Sequence, residues 1–129
     1  IGPKDLEQGT VEIARRDTLT KTTLTQQEVL DYVKNELEVM QVALFEKAND
    51  FRTQHTTWVD DFETFKKILE EKGGFISAHW DGTEATEEAI KKETKATIRC
   101  IPIESNLEEG VCVYSGKPSS RRVLFAKAY

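Results

Sequence analysis

The sequence has few of the residues that mark a secreted, membrane-bound or phosphate-cradling protein. Only two cysteines, Cys100 and Cys112, occur among its 129 residues, too few for the disulfide framework of a small secreted domain. No apolar run approaches the roughly 18 to 20 residues that a membrane-spanning helix needs. No secretory leader opens the chain, and no glycine-rich phosphate loop is present. We therefore expect a cytoplasmic chain without membrane association.

The length of the chain and its first residues limit the number of domains that we expect. A chain of 129 residues can form one ordinary domain, or a small domain with a piece of another. It begins Ile1-Gly2-Pro3 without an initiator methionine, so we expect part of a longer or processed protein.

Charge is unevenly distributed along the sequence. The chain carries 18 basic and 23 acidic side chains, a net charge of −5, which argues against a nonspecific nucleic-acid binder. No acidic residue follows Glu109, whereas four basic residues do: Lys117, Arg121, Arg122 and Lys127. The tail is therefore basic and the middle of the chain acidic.

The first residues predict a β-hairpin. Val11 and Ile13 alternate with polar residues, and a turn near Asp17 leads into a threonine-rich strand. Because a two-stranded hairpin is marginal in isolation, we expect it to belong to a sheet with further strands before Ile1.

A long helix is predicted next. Thr25 and Glu28 have the spacing of a capping box, and no proline or glycine interrupts residues 26–58. An apolar stripe recurs at helical spacing: Val29, Val33, Leu37, Met40, Leu44 and Phe51.

The remaining residues predict a small α+β domain. Asp60 or Asp61 is expected to cap a helix that stops at Gly73-Gly74. The other expected elements are a strand at 75–80, a helix at 84–93, strands at 96–103, 111–114 and 122–128, and turns at 81–83 and 116–118. The last strands are expected to be antiparallel.

Cys112 is the first candidate for metal or nucleophilic chemistry. Residues 112–116 have the outline of a zinc knuckle, although Ser115 is a poor zinc ligand. A zinc site would need His79 or Asp81 as well, and a nucleophilic pair would need His79 or His55. The alternatives are structural: Cys100 as a small buried hydrophobic residue, and a solvated or capping His55.

A mixture of basic and acidic residues marks the first segment: Lys4, Asp5, Arg15, Arg16, Asp17 and Lys21. Arginine and lysine hold RNA phosphates, while carboxylates accept hydrogen bonds from base edges. This mixture suits RNA recognition, and an ordinary charged hairpin is the alternative.

Several stretches resemble class II prolyl-tRNA synthetases. Residues 1–6, Ile-Gly-Pro-Lys-Asp-Leu, and 14–18, Ala-Arg-Arg-Asp-Thr, are similar to the last strands of the anticodon-binding domain. Stretches 75–80, 97–102, 112–117 and the ending Leu-Phe-Ala-Lys-Ala-Tyr resemble the C-terminal domain of the archaeal and eukaryotic-type branch. The resemblance covers nearly the whole chain in the family's order.

The resemblance implies the C-terminal part of a ligase that joins proline to tRNA(Pro) with ATP and magnesium. Residues 1–30 would end an α/β anticodon-binding domain, and 31–129 would form the C-terminal domain, a small α+β domain with an antiparallel sheet after a long connecting helix. The catalytic core would be absent, so no catalytic residue and no activity are expected in this chain alone. Its partners would be tRNA(Pro), the catalytic domain of the parent enzyme and a second subunit of a homodimer.

The resemblance also implies roles for single residues. Lys4, Asp5 and Lys21 would lie at the anticodon, and we add Arg15 and Arg16 as RNA-backbone contacts on electrostatic grounds. The terminal carboxylate of Tyr129 would turn towards the catalytic domain, the alternative being an edge strand that ends in solvent.

Zinc is where this sequence departs from the family. Many members carry four cysteines that bind a structural zinc, and the matching positions here are Asp81, Thr86, Cys112 and Ser115. We therefore expect no zinc or other cofactor in this chain. Hydrogen bonds would fix the loop instead, and helices over 29–51 and 62–69 would supply the core.

A freestanding, non-catalytic module derived from this domain, binding protein or RNA, is the alternative function. Class II synthetase motifs upstream of Ile1 would distinguish the two hypotheses.

Overall fold

A computed structural model of the chain describes residues 1–103 and 107–128. The chain divides into two compact units, residues 1–48 and residues 49–129.

A short helix and the predicted hairpin open the first unit. Helix α1 (Pro3–Gln8) ends at Gly9, whose φ of 64° is left-handed. Strands β1 (Thr10–Ala14) and β2 (Lys21–Thr25) are antiparallel, so the hairpin is confirmed. The stretch expected from the resemblance to be a strand is instead α1, since Pro3 occupies the first helical position.

Helix α2 (Val29–Gln54) is the long helix that the stripe predicts, with both ends displaced inwards. Only half of the capping box forms: the Glu28 carboxylate accepts hydrogen bonds from the backbone N–H of Thr25 at 2.9 Å and from its hydroxyl at 2.7 Å. The hydroxyl therefore donates to Glu28 instead of capping a helical N–H, and the helix starts three residues late.

The apolar stripe of α2 is not part of a core. No residue of α2 is buried within the described part of the chain, and the side chains of Leu37, Leu44 and Phe51 are 60%, 55% and 61% exposed. The expectation that this helix supplies core is therefore wrong.

The second unit is built on a four-stranded mixed sheet with the order β3-β4-β8-β5. Strand β3 (Thr56–Trp58) runs parallel to β4 (Phe75–His79). Strand β8 (Arg122–Lys127) lies between β4 and β5 (Ala96–Cys100) and is antiparallel to both. The predicted antiparallel pairing of the last strands is confirmed, while β3 replaces the predicted end of α2.

Two short helices pack against this sheet and complete the core of the unit. Helices α3 (Phe62–Glu71) and α4 (Glu84–Thr94) were both predicted. Phe65 of α3 and Ile90 of α4 are fully buried in one cluster with Ile76 and Phe125 of the sheet. The rings of Phe65 and Phe125 meet edge to face with centroids 5.3 Å apart, a favourable aromatic geometry.

A second small sheet corrects the prediction for residues 111–118. Strands β6 (Gly110–Val111) and β7 (Pro118–Ser119) pair antiparallel, so the expected strand is shorter and part of the expected turn is a strand. Strand β5 stops at Cys100 after a register shift beyond Ile98. Cys100 is exposed at the end of this edge strand, so the expectation that it is buried is wrong. The predicted polar loop includes residues 104–106, which lie outside the described residues.

Within residues 1–103 and 107–128, no helix combines the length and the apolar character that crossing a bilayer requires.

Candidate functional site

Arg15, at the end of β1, ties the hairpin to helix α2. Its guanidinium donates two hydrogen bonds to Asp17, at 3.1 and 2.5 Å, and one to Glu36 of α2 at 2.6 Å. Only 15% of the side chain is exposed. The hydrogen bonds and charge of Asp17 and Glu36 raise the pKa of Arg15, while Arg15 lowers the pKa of Asp17. The guanidinium of Arg15 is therefore occupied by carboxylates of this chain.

Lys21 makes a weaker and more accessible pair. Its ammonium lies 2.9 Å from a carboxylate oxygen of Glu12 on the neighbouring strand, and this hydrogen bond raises the pKa of Lys21. The Lys21 side chain is 65% exposed, and pairs of this kind contribute little to stability. Lys21 can therefore exchange Glu12 for another anion.

Arg16 and Lys4 are two further accessible cations of this unit. Both side chains are exposed, and neither forms an ion pair with another residue in the described ranges. Asp5, next to Lys4, accepts a hydrogen bond from the backbone N–H of Gly2 at 2.7 Å and so caps α1.

The turn end of the hairpin thus gathers three of the basic residues proposed from the sequence. Arg15 and Arg16 leave β1, and Lys21 opens β2 opposite Ala14. Lys4 and Asp5 lie on α1, which joins β1 at its other end. No hydrogen bond links Lys4 to the hairpin cations among the described residues.

A second polar cluster, the Asp81 cluster, consists of Asp81, Thr83, Thr86 and Ser115. One carboxylate oxygen of Asp81 accepts hydrogen bonds from the N–H and the hydroxyl of Thr83 at 3.1 and 2.8 Å. The other accepts from the hydroxyls of Thr86 and Ser115 at 2.8 and 2.7 Å. Burial raises the pKa of Asp81, but these hydrogen bonds outweigh burial and hold it at about 2.

The Asp81 cluster does not suit the zinc that the family resemblance implies. Both hydroxyls at the matched positions donate to Asp81, which leaves one carboxylate and the Cys112 thiol as possible ligands. A structural zinc site needs four close ligands. The described residues contain no group of three or more histidine, cysteine or acidic side chains that could hold a metal. The absence of zinc stays a prediction for chemical analysis.

The two histidines have structural partners. The Nδ1 atom of His55 lies 2.7 Å from the carbonyl oxygen of Phe51, which agrees with the capping alternative. His79 is buried, with Nδ1 3.2 Å from the hydroxyl of Ser119 and Nε2 3.5 Å from Glu108. The described residues contain no hydrogen bond between His79 and Cys112, so the cysteine–histidine pair receives no support.

Arg122 is a residue whose role the sequence did not reveal. From β8 its guanidinium pairs with Asp60 and Glu108 and donates to the carbonyl oxygens of Val59 and Ser77. It also lines an open groove of about 700 Å³ beside Trp58. The basic tail was visible in the sequence, but Asp60 lies 62 positions away, so the pairing was not. Tyr129 lies outside the described residues.

Comparison with known proteins defines first the class and then the family. The profile described as an anticodon-binding domain matches residues 1–36, so the α1–hairpin unit (α1, β1 and β2) is similar to part of such a domain. The profile described as prolyl-tRNA synthetase, C-terminal, matches residues 62–129. Because this match covers more than half of the chain, the chain belongs to the prolyl-tRNA synthetase C-terminal family.

Individual relatives agree with that assignment. The chain is 60% identical over 129 residues to the proline–tRNA ligase of Flavobacterium johnsoniae, 59% identical to that of Christiangramia forsetii and 54% identical to that of Porphyromonas gingivalis. Each match covers 100% of this chain and 26% of the relative, so the chain spans about a quarter of the length of these curated relatives. All three organisms are Bacteroidetes, which does not support the narrower expectation of an archaeal or eukaryotic-type enzyme.

Proposed function

We propose that this chain is the carboxyl-terminal part of a cytoplasmic ligase that joins proline to tRNA(Pro) with ATP. The observation that carries the proposal is identity of 60% across the whole chain to a proline–tRNA ligase. The order of the two matched domains, anticodon-binding at 1–36 and C-terminal at 62–129, supports it. Magnesium, ATP, the catalytic domain and a homodimeric partner would belong to the parent enzyme.

Within that enzyme, the α1–hairpin unit would contact the anticodon arm through Lys4, Arg16 and Lys21. These side chains are exposed, as cations that reach RNA phosphates or base edges must be. Arg15 differs, because two carboxylates already occupy its guanidinium. We therefore assign Arg15 a positioning role: it fixes the turn from which Arg16 projects. Asp5 would act mainly by capping α1.

Two further expectations complete this proposal. The domain division after residue 30 and the turning of Tyr129 towards the catalytic domain stay predictions from the resemblance. Deleting residues 128 and 129 from the parent enzyme would lower adenylate formation if Tyr129 has that role.

The experiment compares tRNA binding and proline activation in the full-length enzyme. Lys4→Ala, Arg16→Ala and Lys21→Ala should each weaken tRNA(Pro) binding by about tenfold for a lost base contact, or lower the salt dependence by about one ion for a lost phosphate contact. ATP–pyrophosphate exchange with proline should not change. Lys34→Ala, an exposed lysine of α2, is the matched control.

Two results would contradict the assignment. Unchanged tRNA binding in all three variants would show that this hairpin does not contact the anticodon arm. Equal losses of proline activation and of tRNA binding would show a folding defect instead. Arg15→Ala should lower thermal stability together with tRNA binding, because it breaks the link to Asp17 and Glu36.

A further inference from the structure

The Asp81 cluster joins two segments that are far apart in the sequence. Asp81 and Thr83 lie in the turn between β4 and α4, and Thr86 lies in the first turn of α4. Ser115 lies in the turn between β6 and β7, 34 positions after Asp81. Thr83 caps α4, accepting from the N–H of Thr86 at 3.4 Å. Capping needs only Thr83, so the bonds from Thr86 and Ser115 to Asp81 serve a different purpose: they hold the two turns together.

The turn that carries Ser115 is tightly closed. The N–H of Gly116 donates to the carbonyl oxygen of Cys112 at 3.0 Å, and the N–H of Cys112 donates to that of Lys117 at 2.8 Å. Gly116 has a φ of +67°, which favours glycine. Cys112 is 2% exposed. The backbone of this turn therefore has the form of a knuckle, closed by these two hydrogen bonds.

We propose that a hydrogen-bond cluster centred on the Asp81 carboxylate takes the place of a structural zinc here and cross-links the two turns. The backbone around it would still accommodate four zinc-binding cysteines at positions 81, 86, 112 and 115. The four positions are those at which the resemblance places cysteines, and Asp81 contacts two of the others, Thr86 and Ser115, directly. In a tetrahedral zinc–thiolate site with Zn–S distances of about 2.3 Å, neighbouring sulfurs lie about 3.8 Å apart. The hydroxyl oxygens of Ser115 and Thr86 lie 2.7 and 2.8 Å from the same carboxylate oxygen of Asp81, so both side chains approach the side chain at position 81 more closely than that distance.

The hydroxyl donors explain why no metal is needed for the cross-link. Each hydroxyl has a single proton, and those of Thr86 and Ser115 both point to one oxygen of Asp81. Hydrogen bonds to a charged acceptor are stronger than neutral ones. A carboxylate with four donors can thus tie the two turns as a bridging ion would, and it needs neither a thiolate nor zinc.

The first test removes the charge of Asp81 with little change of shape. Asp81→Asn in the 129-residue chain places an NH₂ donor among hydroxyl donors, and the melting temperature should fall by at least about 4 °C. Thr86→Val and Ser115→Ala should give smaller falls in the same direction. Asp50→Asn, at an exposed aspartate of α2, should leave the melting temperature unchanged. An Asp81→Asn variant as stable as wild type would overturn the cross-link.

The second test restores thiolates at the three positions. The triple variant D81C/T86C/S115C, with native Cys112, should bind one cobalt(II) per chain and show the visible absorption of tetrahedral thiolate ligation, displaced by zinc. Wild-type chain should bind none, and adding Cys112→Ser to the triple variant should abolish tight binding. One zinc per chain in wild-type protein, or a triple variant that neither binds cobalt nor folds in its presence, would overturn the proposal.

Discussion

At the scale of single residues, Asp81 couples the stability of the second unit to pH. Its pKa lies at about 2 in the folded chain, below its ordinary value of 3.8. The ionised Asp81 therefore contributes fully to the free energy of unfolding above pH 3.8, its pKa in the unfolded chain. This contribution is lost as the pH falls towards about 2, its pKa in the folded chain.

We expect wild type to lose on the order of 1–2 kcal/mol more stability than Asp81→Asn between pH 5 and pH 2. Urea unfolding of both proteins across this range measures the difference. Parallel stability curves for the two proteins would show that the pKa of Asp81 is not depressed.

Gly110 gives a second prediction at this scale. A Cβ atom at this position would lie 2.3 Å from Nε2 of His79, and His79 is only 4% exposed, so its ring cannot move aside. Gly110→Ala should cost about 1–3 kcal/mol of unfolding free energy, measured by urea denaturation.

A double-mutant cycle supplies the control for Gly110. In a His79→Ala background the ring is absent, and the added methyl group should cost much less. The same cost in both backgrounds would mean that His79 is not the obstacle.

Among single residues, sequence alone revealed the local contacts and missed the distant ones. Asp61 and Thr83 could be predicted as caps because the N–H groups they satisfy lie three residues further on. Glu36 as the partner of Arg15 could not, because it lies 21 positions away on another element. The role of a basic residue such as Arg15 depends on which carboxylate lies next to it in the fold.

At the scale of elements, the start of α3 depends on Asp61. Its carboxylate accepts a hydrogen bond from the N–H of Thr64 at 2.8 Å, and this bond lowers the pKa of Asp61. Asp61→Ala should lower the melting temperature by several degrees, since α3 carries Phe65 and Leu69 into the core. Glu70→Ala, at an exposed position of the same helix, should have little effect. Equal melting temperatures for the two variants would rule out a capping role.

Strand β3 shows why one element was assigned wrongly. Residues 56–58 continue an uninterrupted run without glycine or proline, which favoured an extension of α2. Their strand conformation comes from parallel pairing with β4, with Thr56 opposite Phe75. A three-residue strand has too little pattern to be found locally, and its partner lies across a whole helix. For α2, the spacing of the apolar residues predicted the helix correctly. It did not show whether other residues pack against its apolar face.

At the scale of the whole molecule, the chain should not activate proline by itself. It spans 26% of its relatives and contains no phosphate-binding glycine loop. We expect proline-dependent ATP–pyrophosphate exchange at background with the 129-residue chain and well above it with the full-length enzyme. Exchange that scaled with the amount of purified chain would refute this expectation.

The position of β8 has a consequence for how the second unit is made in the cell. This strand, Arg122–Lys127, lies between β4 and β5 and joins them through two antiparallel ladders, yet it is translated after both. While a nascent chain grows from the ribosome, β4 can pair only with β3, and β5 emerges without its partner strand. A frameshift or stop codon just before the codon for Arg122 would therefore remove a central strand of the sheet and not an edge strand. The truncated product would expose unpaired edges of β4 and β5, and we expect it to bind chaperones and to be degraded by proteases.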